Sequence, residues 1–275
     1  MTGSRSNPYE LADGAVGELP GSDVAAPEPP LEAQHPRSAD QARVPWHTVS
    51  LIVAAAFGSG MALIVPMAYS LALRLAELAP GSEQALGYIL GIGAVVSLVA
   101  APLTGIVSDR TRSRWGRRRP FTVIGLVIGL VAVPVLAFAP DIPVLALGWV
   151  LTSIGWGTTG NSVGNLLADR LPEGQRGKVS GLTNLAGQVS PVAGILLAGA
   201  VSESTVLIFL APALVGAMLV LGFVLFVPEA DSRHLRFDDR LTVGRFLRSL
   251  TFSPRRHPQF AWVWAGRFLF FFGLS

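Results

Sequence analysis

The chain has 275 residues, 51% of them hydrophobic and only 14% charged, with a formal net charge of +3. A water-facing surface draws on roughly 25% charged residues, so this composition excludes an ordinary soluble globular domain. The absence of cysteine excludes a disulfide framework and a thiolate metal site.

Residues 1–45 are rich in Pro, Ala, Gly and acids, as in Pro27-Glu28-Pro29-Pro30, and read as a disordered tail. No short apolar region follows a basic start, so no cleavable signal peptide is expected and the first helix serves as its own insertion signal. Six apolar windows then follow, at 47–73, 84–107, 120–140, 142–168, 179–202 and 204–228. Each is near or above the ~20 residues that cross ~30 Å of hydrocarbon at ~1.5 Å per residue. The expected fold class is all-α: a polytopic membrane protein with a six-helix bundle over 46–228. Asp141 alone separates windows 3 and 4, and Glu203 alone separates 5 and 6, which forces those pairs into antiparallel hairpins. Residues 229–258 form a central loop in which Leu235, Phe237, Leu241 and Phe246 alternate with arginines. It suits an amphipathic helix on the membrane surface or a solvated linker. From Gln259 the chain is apolar again to Ser275, too short for a crossing, and reads as the start of a seventh helix that is cut.

Orientation follows from the basic residues. Arg37 and Arg43 precede the first window and six arginines from Arg110 to Arg119 follow the second. Arg170, Arg176 and Lys178 follow the fourth, and seven arginines from Arg233 to Arg256 follow the sixth. The opposite ends hold Arg74 alone. The positive-inside bias predicts a multi-pass protein of the plasma (inner) membrane with a cytoplasmic N-terminus. It also explains the basic pI of about 9.9 through contacts with anionic headgroups of the lipid bilayer, leaving no nucleic-acid partner to invoke.

Between windows 2 and 3 stands Gly105-Ile-Val-Ser-Asp109-Arg110-Thr-Arg112-Ser-Arg114-Trp115-Gly116-Arg117-Arg118-Arg119-Pro120-Phe121. It resembles the helix 2–3 signature of the major facilitator superfamily. Its extended form is similar to the sucrose-transporter branch and the related glycoside–cation symporters. Gly105 is a position where helix 2 can approach a neighbour closely. Asp109 can accept charge-assisted bonds from an arginine fork, and Pro120 suits the first turn of a helix. The resemblance implies a cytoplasmic gate made of Gly105, Asp109, Arg110, Gly116, Arg117 and Arg118, locked in one conformation and released in the other. Arg112, Arg114 and Arg119 read instead as positive-inside anchors. A second stretch, Ala168-Asp169-Arg170-Leu-Pro172-Glu173-Gly174-Gln175-Arg176-Gly177, is similar to the superfamily's helix 4–5 loop and adds Asp169 and Arg176. The resemblance covers roughly 46–275 and implies the N-terminal half of a twelve-helix carrier. The missing C-terminal six-helix half is expected, and the two cytoplasmic loops are expected to be related by a pseudo-repeat of three helices.

Polar residues inside apolar windows tend to face a cavity. Tyr69, Asn161, Asn184 and Gln188 are the substrate-cavity candidates, because amides donate and accept bonds to sugar hydroxyls and a ring covers an apolar sugar face. Interhelical hydrogen bonding is the competing reading for each. The glycines Gly157, Gly160 and Gly164, and the pairs Gly87/Gly91 and Gly125/Gly129, read as packing faces. Where the plant sucrose carriers have an aspartate and an arginine on helix 4, this chain has Ser153 and Gly164, and His47 is the one ionisable residue in the windows. No coupling ion, H⁺ or Na⁺, is assigned, and no cofactor. The leading expectation is secondary active transport of a small solute, a sugar or glycoside, by alternating access. Export of lipophilic compounds and a non-transporting truncated membrane protein are the alternatives. Catalysis is not expected: the windows hold no nucleophile–base pair and no metal-ligand cluster.

Overall fold

The computed structural model describes residues 44–229 and 231–233, with Trp262, Val263, Ala265, Gly266 and Leu269 further on, these five being helical. The expected tail and the loop helix lie outside the described residues, as does most of the seventh helix. Six long helices make up the described fold, and no strand occurs among these residues. They are α1 (Trp46–Leu78), α2 (Gln84–Asp109), α3 (Arg119–Ala137), α4 (Ile142–Arg170), α5 (Glu173–Ala200) and α6 (Leu207–Phe226), each long and apolar enough to cross a membrane. The six windows therefore stand as six spans.

α1 is not a uniform helix. At Pro66, which lacks an N–H and cannot continue the ladder, the backbone widens into a π-turn over Pro66–Ser70, closed by the Leu71 N–H on the Pro66 carbonyl. Ser70, fully buried, donates its hydroxyl to Ile208 O at 2.9 Å and so fastens this turn to the start of α6. α4 begins on Asp141, whose side chain accepts the Val144 N–H at 2.9 Å.

Two close helix crossings organise the bundle. In α3 against α4, a Cβ at Gly125 would stand 2.6 Å from Gly155 O, and Gly129 packs on the Trp156 ring. In α1 against α6, Gly58 and Gly216 face each other, with a Cβ at Gly216 reaching 2.6 Å from Gly58 O. Missing side chains let backbones approach, and packing replaces a hydrophobic drive that lipid cannot supply. Shifting by three helices carries the α1–α6 crossing onto α4–α3 and carries α2 onto α5. Those last two are the least buried spans, 11% and 17% over their apolar cores.

Three expectations change. The same shift carries the α2–α3 loop onto the α5–α6 turn, so the α2–α3 and α4–α5 loops are not repeat mates; they meet through side chains. An added Cβ at Gly105, Gly87 or Gly91 meets nothing within 4 Å, because α2 lies at the edge of the bundle, so these glycines make no close approach here. Gly157 and Gly164 likewise meet open space, and with Gly160 they border a cavity rather than a packing face. The Gly125/Gly129 pair does pack as expected.

Candidate functional site

The α2–α3 loop, residues 110–118, is tied to the ends of three helices by one buried cation. Arg118 is only 6% exposed. Its Nη2 meets Asp109 Oδ1 at 2.5 Å, its Nε donates to Asp169 Oδ2 at 3.2 Å and its Nη1 donates to Ser108 Oγ at 3.2 Å. Arg117 Nη2 adds a second contact to Asp169 at 2.8 Å. The end of α2, the start of α3 and the end of α4 thus share one guanidinium, whose planar fork suits two carboxylates at once. The Asp109 side chain remains 52% exposed and that of Asp169 28%. Both anions keep their water while the cation gives up most of its own.

A second anion enters from far along the chain. The N-cap position of α3 is Arg118, which offers no capping side chain, so the first N–H groups of that helix need an acceptor from elsewhere. Glu229, just past α6, fills that role. Its Oε1 accepts the Arg117 and Arg118 N–H groups at 3.0 Å each, and its Oε2 accepts that of Arg119 at 2.9 Å. An anion at a helix N-terminus is favoured by both the unpaired donors and the dipole. Gly116 makes room: its φ is +88° and a Cβ there would collide with the Glu229 side chain. Arg119 and Arg170 donate in return to the carbonyls of Val227 and Pro228 at the end of α6. Beyond them Ser232 lies buried against the loop, accepting the Ser113 N–H at 2.9 Å and donating to Thr111 O at 3.0 Å. Asp231 accepts bonds from Arg233, and these, with its charge, hold that exposed guanidinium above its ordinary pKa.

The gate residues read from the sequence divide accordingly. Asp109, Arg117, Arg118 and Asp169 converge, and Gly116 admits Glu229. Arg110 starts the loop with its N–H on Val107 O at 3.2 Å. Arg176 does not join the ion pairs: its Nε donates to Leu171 O at 2.9 Å and its Nη2 to Ala168 O at 3.4 Å, closing the last turn of α4. Arg119, read as an anchor, binds the end of α6 instead, and Arg114 lies over the exposed Trp115 ring at 5.8 Å. Glu229, Ser232 and Ser108 were not anticipated. The missing cap at α3 is the sequence signal that could have found Glu229, the first charge after the sixth window.

Away from this latch, a cavity of about 450 Å³ lies among α1, α4 and α5. Ser59, Gly60, Trp156, Asn161, Thr183 and Asn184 are among its lining residues, none of which is ionisable. Asn161 and Asn184 are thus brought together with the Trp156 ring. Gln188, four residues on from Asn184, is exposed but off this lining. Tyr69, within the π-turn, packs with the Met61, Val65 and Ala198 cluster. Neither of those two candidates belongs to the cavity. On the opposite end of the bundle Arg74 pairs with Glu77 at 2.7 Å and donates to Ala139 O at 2.9 Å, while Thr205 donates to Glu77 at 3.3 Å.

Part of the sequence is similar to known proteins. Sucrose transport protein SUT1 of Oryza sativa subsp. japonica is 39% identical over 80 residues, 27% of this chain and 15% of that protein. Solute carrier family 45 member 3 of Mus musculus is 36% identical over 81 residues, 26% of this chain and 15% of its own length. Sucrose transport protein SUT3 of Oryza sativa subsp. indica is 36% identical over 80 residues, 27% of this chain and 16% of its length. The matches therefore span about one-sixth of the relatives' length. The model of the Major Facilitator Superfamily matches residues 48–275, from the first helix to the last residue. With six membrane-crossing helices and the helix 2–3 signature folded into one ion-paired loop, the chain belongs to the major facilitator superfamily of membrane transporters.

Proposed function

We propose that this chain forms the gate and solute-facing half of a secondary active carrier that moves a neutral polyhydroxylated solute, a sugar or glycoside, by alternating access. The observation that carries the reading is the cavity: amide and hydroxyl side chains beside one indole, with no charge in the wall. Amides satisfy hydroxyls as both donors and acceptors, and the ring takes an apolar sugar face. The partial likeness to sucrose transport proteins supports the same solute class.

Orientation follows from the arginine bias: the N-terminus and the Arg118 latch face the cytoplasm of a plasma (inner) membrane, against anionic headgroups. A second six-helix unit completes the carrier, supported by the open faces of α2 and α5, where Tyr88, Leu98 and Leu196 are each more than 70% exposed. With the latch closed, Arg118 holds α2 and α4 together at the inner end. Parting Asp109 and Asp169 from Arg118 frees α2 from α4 at the inner end of this unit and lets the cavity open inward. A proton relay belongs to residues outside this cavity wall, which has no titratable group; Na⁺ coupling and transport without an ion stay open.

Radiolabelled sucrose uptake into proteoliposomes holding the full-length carrier tests the reading. The double variant Asn161→Ala/Asn184→Ala should lose about 2 kcal/mol of solute binding, roughly a thirtyfold rise in KM at normal insertion. An unchanged KM, or transport of lipophilic cations with no sugar uptake, overturns the sugar reading.

A further inference from the structure

A groove runs down the side of the bundle between α1, α5 and α6, separate from the latch and the cavity. Its walls are Val49, Val53, Phe57, Leu182, Ala186 and Leu219, and it encloses about 470 Å³ that is almost wholly apolar. Its mouth is different. There Trp46, the first residue of α1, is 55% exposed, and Lys178 Nζ of α5 stands 4.8 Å from the centre of its ring. Lys178 is the only lysine of the sequence, and none of the ion pairs among the described residues involves it.

Dimension and charge both specify the occupant. Trp46 and Phe57 are eleven positions apart on α1, about 16 Å at 1.5 Å per residue. Half of a ~30 Å hydrocarbon core is ~15 Å. The groove therefore begins at the depth where indoles and ammonium groups meet headgroups and ends near the midplane, the reach of one acyl chain. The mouth is also held in place. Gln175 accepts the Val44 N–H at 2.9 Å and donates to Val44 O at 3.2 Å, pinning the start of α1 to the start of α5. A cation fixed over an indole at the head of an apolar channel costs little further ordering when a ligand arrives.

We propose that this groove binds one anionic phospholipid of the leaflet on the Trp46 side. One acyl chain lies along Val53 and Phe57, and the phosphate is hydrogen-bonded by the Lys178 ammonium beside Trp46. A lysine near an anionic surface is attracted to it, and the fixed geometry here confines that attraction to a single headgroup.

Native mass spectrometry of the full-length protein, released from detergent with phosphatidylglycerol or phosphatidylcholine of identical acyl chains, tests this directly. One phosphatidylglycerol should remain bound at least fivefold more than phosphatidylcholine. Lys178→Gln should bring the two to the same level, Lys178→Arg should keep the preference, and Ala186→Trp should lower retention of both by filling the channel. Should Ala186→Trp not fold, the lysine pair still decides. Equal retention of both lipids by the unaltered protein, or a preference that survives Lys178→Gln, overturns the proposal. The readout is binding alone, so it stands apart from the outcome of any uptake assay.

Discussion

The two ends of the bundle are closed by different means. At the arginine-bearing end, the end of α2, the start of α3, the end of α4 and the chain after α6 are drawn together by Arg118, Glu229, Arg119 and Arg170, across sequence separations above one hundred residues for Glu229. At the other end Arg74, Glu77 and Thr205 suffice. The α2–α3 connection accounts for the contrast. The turns 138–141 and 201–206 join their helices covalently at close range, whereas the 110–118 loop is long and needs side chains to fix its course. Polar bonds that substitute for a short turn can also be broken without cutting the chain. In the proposed carrier the arginine-bearing end is therefore the one that opens.

Breaking the hub should separate the two ends most clearly. Arg118→Ala leaves Asp109 and Asp169 facing each other and removes a mostly buried charge. The loss should be about 2 kcal/mol, between the values for exposed and buried pairs, or roughly a thirtyfold shift between latched and open forms. A cysteine placed on the 110–118 loop should then label many times faster at unchanged expression. Gly116→Ala comes next. It places a Cβ at φ +88° against Glu229, at a cost of about 1–2 kcal/mol, and should lower the unfolding temperature of the purified protein. Arg74→Ala should do least. Its pair with the half-exposed Glu77 carboxylate contributes about 1 kcal/mol, so uptake within twofold of the unaltered carrier is expected. A large loss at Arg74 with none at Arg118 would reverse the comparison.

How much of this was readable from residue order depends on the range of each interaction. Hydrophobic length and arginine placement are local signals, so all six spans were legible. Asp109 and Arg118 lie nine positions apart within one motif, and their convergence was legible too. Glu229 was not, because a cap supplied from beyond the sixth helix leaves no periodicity near the third. Glycine spacing says only that a helix has a smooth stripe. Gly125 and Gly129 meet Gly155 and Trp156 because α3 has α4 beside it, whereas Gly87 and Gly91 sit on an edge helix with the same spacing and no neighbour. The amides show a similar limit: Asn184 and Gln188 share a helical face, but only the former reaches the depth at which the cavity opens.

The π-turn at Pro66–Ser70 has a consequence for how the first helix is phased. Each residue of an α-helix advances about 100° around the axis, so one extra residue in that turn rotates everything after it by that angle relative to the half that lines the cavity. Arg74, which follows the turn, donates to Ala139 O. A one-residue deletion inside Pro66–Ser70 would return a regular helix with Arg74 still facing its partner, whereas straightening the turn at unchanged length would swing Arg74 by about 100°. The irregularity works as a coupling that lets the two halves of a single span answer to different neighbours.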